Sequence, residues 1–310
     1  MKAVLANPQA KGWVEIGDAA EPKPDSNEAV VAVTAFSVNR GEVNRARGGV
    51  KGAQVGWDVA GVIERAAADG SGPKAGARVV GFSRRQQAWA EKVALPTVDL
   101  AAVPDGVSDA QAATLPVAGL TALYALERCE RIIGDRVLIT GATGGVGYFA
   151  CQLAKLMGAE PVALIRSATH KAAVEATGAS VIVSEDGAVL AQHGKFRSIV
   201  DGVGGPVFAK LIEAMDASGR LVTYGVSGGA ETPMPLRPLL MSGDGRIDGF
   251  HLYRESEKES ASQGLTRLMR LIEQGRLNVE ISVQKDWSEI ASVAEGLIER
   301  QFFGKAVLTL

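Results

Sequence analysis

Cysteine is nearly absent: the 310 residues include two, Cys129 and Cys151, and only three histidines, His170, His193 and His251. That count excludes a disulfide framework or a cysteine-built metal site and favours a reducing compartment. No charge of either sign dominates, with 33 Lys and Arg against 35 Asp and Glu, and there is no basic run. A nucleic-acid partner therefore has no electrostatic footprint. Long hydrophobic runs are missing too. The longest, 112–126, is interrupted by Thr114, Pro116, Gly119 and Thr121 and falls short of the ~20 residues that span a bilayer. The first residues, Met-Lys-Ala-Val-Leu-Ala-Asn-Pro, break before a signal-peptide core forms. A soluble, cytoplasmic protein with no membrane partner is expected.

What is there changes character along the chain. Its length predicts two domains. The first hundred residues read as β-rich, with short runs at 29–35, 59–64, 77–82 and 90–95 separated by Gly and Pro, and with weak helical periodicity. From Ser108, a predicted N-cap, helices alternate with β-branched runs at 136–140, 160–165, 180–183, 198–200, 220–224 and 247–252. Alternation of this kind predicts a doubly wound parallel sheet, an α/β Rossmann domain. Beyond about residue 255, one amphipathic helix leads to a terminal strand too short to form a domain alone. That strand is predicted to return to the first domain.

The run Arg136-Val137-Leu138-Ile139-Thr140 enters Gly141-Ala142-Thr143-Gly144-Gly145-Val146-Gly147, followed by a helix predicted to start near Tyr148 and stop at Gly158. Strand, glycine turn and helix in that order form the setting in which glycines hold a dinucleotide. Gly144 lets the backbone approach a pyrophosphate, Gly147 lets helix and strand pack closely, and the amides at the helix start face the phosphates. Valine at either position is expected to abolish binding in a largely folded protein. An NAD site places a carboxylate about 20 residues beyond the glycines. Here that position holds Arg166, followed by Ser167, His170 and Lys171, with no acid before Glu175. A cation there selects a 2′-phosphate, so NADPH is the expected cofactor.

Several segments carry a family resemblance: Phe-Ser-Val-Asn-Arg-Gly-Glu at 36–42, Gly-Trp-Asp-Val-Ala-Gly-Val-Ile-Glu at 56–64, Ala-Ala-Thr-Leu-Pro at 112–116, Gly-Leu-Thr-Ala at 119–122, the glycine turn, and Gly-Lys-Ala-Val-Leu at 304–308. With these, the chain resembles the medium-chain dehydrogenase/reductases of the zinc-free quinone oxidoreductase (zeta-crystallin-like) branch. The resemblance implies a β-rich GroES-like catalytic domain from 1–115 and 256–310, a Rossmann domain at 116–255, and a homodimer. Zinc-dependent members carry cysteine where this chain has Asn39 and histidine where it has Trp57. No metal site is expected.

Without zinc, hydride transfer to a quinone or α,β-unsaturated carbonyl is the less demanding chemistry. Charge delocalises onto a distant oxygen that a few hydrogen-bond donors can hold. Asn39 is the first candidate donor, and Thr121 lies where the family places a residue beside the nicotinamide. Related quinone reductases carry a tyrosine a few residues beyond the asparagine, where this chain has Asn44 and Arg45, so the proton donor is unassigned. Tyr224, Phe250 and Leu252 are expected at the carboxyl edge of the parallel sheet, close to the cofactor. Phe303, Gly304 and Lys305 match a family segment that reaches it. Two alternatives stay open: an enoyl-thioester reductase of the same fold, and a non-catalytic NADPH-binding relative.

Overall fold

The computed structural model describes residues 1–310 and divides the chain into two compact units, Met1–Leu120 with Ser256–Leu310, and Thr121–Glu255. The first boundary falls after Leu120 rather than after residue 115. Unit 1 opens with β1 (Lys2–Ala6) and β2 (Val14–Asp18), an antiparallel pair. It continues through β3 (Glu28–Val38), α1 (Arg40–Gly48), β4 (Asp58–Arg65), β5 (Arg78–Phe82), β6 (Lys92–Pro96), β7 (Leu100–Ala102) and α2 (Asp109–Ala113). Ser108 caps α2, accepting from the Gln111 amide at 3.2 Å, while the Gln111 side chain accepts from the Ser108 amide at 3.0 Å.

Unit 2 follows with α3 (Leu120–Glu127), β8 (Arg136–Thr140), α4 (Gly145–Leu156), β9 (Glu160–Ile165), α5 (Lys171–Glu175), β10 (Ser180–Val183) and β11 (Phe196–Asp201). Then come α6 (Gly205–Ala214), β12 (Met215–Thr223), α7 (Leu236–Met241), β13 (Arg246–Gly249) and α8 (Leu252–Lys258). Its six strands are parallel in the order β10-β9-β8-β11-β12-β13. This doubly wound order reverses direction at β8 and β11, the place where such sheets take ligands beyond their carboxyl ends. Leu138, Val162, Leu164, Phe196, Ile199, Phe208, Leu211 and Leu221 make one buried cluster across strands and helices.

The chain then returns to unit 1 through α9 (Ala261–Glu273), β14 (Ile281–Asp286), α10 (Ile290–Ile298) and β15 (Lys305–Thr309). Strand β15 runs antiparallel to β3 with Ala306 opposite Val38, and the larger sheet has the order β14-β15-β3-β4-β5-β7, with β6 also on β3. Phe36, Val59, Ile63, Trp89, Leu95 and Leu100 lie in its core. Trp89 stacks on Phe36 and donates its indole N–H to the Ser37 carbonyl at 3.2 Å. No helix is long and apolar enough to cross a membrane.

Two expected elements differ. The helix after the glycine turn begins at Gly145, three residues before Tyr148, so Gly145, Val146 and Gly147 form its first turn. Leu252 is not a strand residue but the first residue of α8, and it is buried. The last strand ends at Gly249, and the Phe250 amide makes one more bond to the Thr223 carbonyl, at 2.8 Å, before the chain turns into the helix.

Candidate functional site

In unit 2 the candidate residues gather at the carboxyl ends of the strands. Helix α4 has no side-chain cap, and its N-cap, Gly144, is exposed and in extended backbone (φ −98°, ψ 166°). The amides of Gly145, Val146 and Gly147 belong to the first turn, where N–H groups lack intrahelical partners. A Cβ on Gly144 would meet only the Gly141 carbonyl oxygen, at 3.5 Å, so the space before the helix is open. On Gly147 it would fall 2.5 Å from the Gly141 oxygen and 2.7 Å from Ala142 Cα, so this glycine lets the helix pack on the turn. Thr143, half-buried, completes the loop. An uncapped twelve-residue helix behind an open glycine is a cradle of the size and polarity that a pyrophosphate fits.

At the end of β9, Arg166 is exposed and has no ion-pair or hydrogen-bond partner within the protein. Ser167, also exposed, donates to Thr169 at 3.2 Å, and Lys171 reaches Glu175 at 3.6 Å. An unpaired guanidinium flanked by a hydroxyl and an ammonium suits a phosphate monoester.

Asp201, which sequence reasoning missed, ties this edge together. It accepts from Thr140 Oγ1 at 2.6 Å, Thr223 Oγ1 at 3.3 Å and the amides of Val203 and Gly204 at 3.0 and 3.1 Å. The ends of β8, β11 and β12 are thereby joined through one carboxylate. Burial pushes its carboxyl above the ordinary value, against the donors that hold it down. Tyr224 packs its ring on Gly202, where a Cβ would fall 2.4 Å from the phenol carbon, and burial pushes the phenol far up. The Tyr224 ring thus stands as a neutral wall beside Gly202. Phe250 is half-buried, and Thr121 is buried in the first turn of α3. Cys129 and Cys151 are free and buried, with both thiols pushed up to about 12 by burial.

Unit 1 holds a second polar cluster, and the β3–β15 register builds it. Asn39 follows β3, Glu42 lies in the first turn of α1, Asp58 opens β4 and Lys305 opens β15. Glu42, Asp58 and Lys305 are all at least 95% buried. Glu42 accepts from the Asn39 amide at 2.7 Å and from the Trp57 amide. Asp58 accepts from Ser37 Oγ at 2.5 Å and from the Val117 amide at 2.8 Å. The Trp57 ring lies over Gly41, where a Cβ would come within 3.0 Å of it.

Asn39 sits at the centre. Its Nδ2 donates to Asp58 at 2.7 Å and to Glu42 at 3.1 Å, and its Oδ1 accepts from Lys305 Nζ at 2.6 Å. Both amide protons thus point at carboxyl oxygens of Asp58 and Glu42. Asn39, the expected donor, directs its N–H groups to acceptors inside the protein. Lys305, expected to reach the cofactor, turns its ammonium onto Asn39 and the Val38 carbonyl. Phe303 is buried within unit 1, and Gly304 holds a positive φ of 70° where a Cβ would fall 2.6 Å from the Glu280 oxygen. No group of three or more His, Cys, Asp or Glu could hold a metal.

Burial, and secondly the Asp58 charge, push the Glu42 carboxyl from 4.5 up to about 8, against the two backbone N–H donors. Between those values the folded chain binds more protons than the unfolded one, so stability from this group falls as pH rises. The denaturant midpoint is expected to drop between about pH 5 and about pH 8, with a shallower drop in Glu42→Gln. An equal slope in the variant would remove Glu42 as the source.

A family model described as "Zinc-binding dehydrogenase" matches residues 145–269. The quinone oxidoreductase of Pseudomonas aeruginosa is 27% identical, over 82% of this chain and 81% of its own. The acryloyl-coenzyme A reductase of Metallosphaera sedula is 24% identical over the whole of both chains. The structure of Escherichia coli quinone oxidoreductase complexed with NADPH superimposes with a TM-score of 0.89 at 23% identity, covering 100% of both chains. With its two sheets and its glycine turn, the chain shares the fold of that structure and is similar in sequence to the quinone oxidoreductases of the medium-chain dehydrogenase/reductase superfamily.

Proposed function

We propose that this oxidoreductase binds NADPH and passes hydride, without zinc, to a quinone or an α,β-unsaturated carbonyl compound. The observation that carries the reading is the pairing of the uncapped, open start of α4 with the unpartnered Arg166 at the end of the next strand. The amides of Gly145 and Val146, with Thr143 and Gly144, hold the pyrophosphate. Arg166, Ser167 and Lys171 hold the 2′-phosphate, and Tyr224, Phe250 and Thr121 wall the nicotinamide half. The E. coli relative's NADPH complex supports this choice of cofactor.

When bound, NADPH supplies a hydride from C4 of its nicotinamide. On an enone that hydride would make a new C–H bond at the β-carbon, the carbon–carbon π pair would shift between the α-carbon and the carbonyl carbon, and the carbonyl π pair would move onto the oxygen. A solvent proton taken up at the α-carbon would complete the saturated ketone. The charge reaches an oxygen already conjugated to the reacting carbon, so no metal has to stabilise an alkoxide. Elemental analysis of protein purified without chelator is expected to find no stoichiometric zinc. One zinc per chain would return the alcohol dehydrogenase reading.

The M. sedula relative supports a second reading, an enoyl-thioester as acceptor. Rates of NADPH oxidation with a simple quinone, a simple enone and an acryloyl thioester separate the two. Turnover of the quinone or enone is expected. Turnover of the thioester alone would favour the second reading, and oxidation of none would leave a cofactor-binding protein without catalysis.

Self-association belongs to the same proposal. Strand β13 is an unpaired sheet edge, and the nearby α7 exposes Leu236, Leu240 and Met241 at 63%, 77% and 76%. Such a patch in a soluble chain marks an interface, and a homodimer through it is the simplest closed arrangement. Sedimentation is expected to give a dimer for the wild type and a monomer for Leu240→Glu. A wild-type monomer would sink the idea. A cytoplasmic location fits the two free, buried thiols.

A further inference from the structure

Asn39 is held by three ionisable side chains, and the contacts they make fix one orientation for its carboxamide. The Asn39 Nδ2 donates to carboxyl oxygens of Asp58 and Glu42, at 2.7 and 3.1 Å, and a carboxamide nitrogen can only donate. An ammonium can only donate, so Lys305 must face Oδ1, at 2.6 Å. The lysine also stands 3.6 Å from Asp58, and both side chains are buried. Nothing in the zinc-free reading calls for an ammonium here. A buried Lys–Asp pair recovers its desolvation cost only where its remaining hydrogen bonds are made, and the central acceptor is the Asn39 oxygen.

We infer that Lys305 is a positioning residue: it holds the Asn39 oxygen, turns both Asn39 N–H groups inward onto Asp58 and Glu42, and so fixes the surface that α1 and β3 present at this end of the sheet. Asn39 then meets any ligand as an acceptor through its remaining lone pair, toward an N–H or O–H of that ligand. A substrate carbonyl finds no donor there. The assignment stands on unit 1 alone, while its consequence for turnover rests on the oxidoreductase reading above.

The test is the side-chain amide proton pair of Asn39 in isotope-labelled full-length protein, identified by its loss in Asn39→Ser. In the wild type both protons are expected downfield and protected from exchange, as bonds to carboxylates require. Lys305→Met is expected to shift the pair and speed its exchange by at least roughly tenfold. Because that variant leaves Asp58 buried without its cation, a change that costs folding stability, the same comparison is made between Asp58→Asn and Asp58→Asn/Lys305→Met. An Asn39 pair that exchanges freely in the wild type, or that is unmoved by loss of the lysine in both backgrounds, overturns the assignment. Turnover is read separately: removing Lys305 is expected to lower kcat/KM for NADPH-driven enone reduction by about 10- to 100-fold. If the wild type oxidises no NADPH, the oxidoreductase reading fails while the amide pair still decides the role of Lys305.

Discussion

Gly144→Val is expected to abolish NADPH binding in a protein that still folds. The position is exposed and already in extended backbone, which a β-branched residue adopts without strain. A Cβ there meets one oxygen at an ordinary 3.5 Å. The cost to folding is that of a poorer N-cap, about 1 kcal/mol. The cost to binding is larger, because the isopropyl group fills the space in front of the Gly145 and Val146 amides. Losing two charge-assisted hydrogen bonds of about 1.5–3 kcal/mol each weakens the pyrophosphate contact by more than about 100-fold. Gly147→Val behaves differently, contrary to the simple expectation that both variants stay folded. Its Cβ would meet backbone at 2.5 and 2.7 Å, which cannot yield as a side chain can, so helix α4 must move off the glycine turn. Thermal unfolding alongside fluorescence titration separates the two. Unchanged NADPH affinity in folded Gly144→Val would mean that the cofactor lies elsewhere.

Arg166→Ala is expected to weaken NADPH about 10- to 100-fold and to leave NADH nearly unchanged. The guanidinium is exposed and unpartnered, so its removal breaks nothing in the folded protein. The loss is that of one charge-assisted, bidentate contact to the 2′-phosphate, roughly 1.5–3 kcal/mol. Ser167 and Lys171 share the phosphate, so some preference for NADPH should survive; Lys171 is the weaker contributor, since Glu175 already stands 3.6 Å from it. Arg166→Asp should go further, repelling the phosphate and accepting from the ribose hydroxyls. Titration of both cofactors against the three proteins decides this. Equal wild-type affinity for NADH and NADPH, or an equal loss of both in Arg166→Ala, would contradict the cofactor choice and leave the fold untouched.

The Rossmann half of this chain is legible because its signals are local. Strands 136–140, 160–165 and 180–183 can be read to the residue, since short β-branched runs bounded by glycine and helix have one plausible state. The start of α4 is misread because glycine looks like loop, although the first turn of a helix that faces an anion needs space more than propensity. Leu252 is misread because an apolar run continues past the last ladder bond at Phe250. Helix α1 is hidden by its short buried face, which consists of Val43, Ala46 and an acid, Glu42. The unit 1 network is the least legible part. Lys305 lies more than 240 residues from Asn39, Glu42 and Asp58 and meets them through the pairing of β15 with β3. The only local hint was charge where burial should be: an acid opening the apolar run of β4 and a lysine opening the apolar run of β15.

The central claim is direct hydride transfer from NADPH to a conjugated carbonyl, and NADPH carrying deuterium at the transferring C4 position tests it most directly. The protein is incubated with that cofactor and a simple enone, and the product is analysed by mass and by proton resonance. The account predicts a saturated ketone with deuterium at the β-carbon and a solvent proton at the α-carbon. It further predicts that unlabelled NADPH in deuterated water reverses the pattern. Reduction with no deuterium at the β-carbon, or no consumption of NADPH with any quinone or enone, would contradict it.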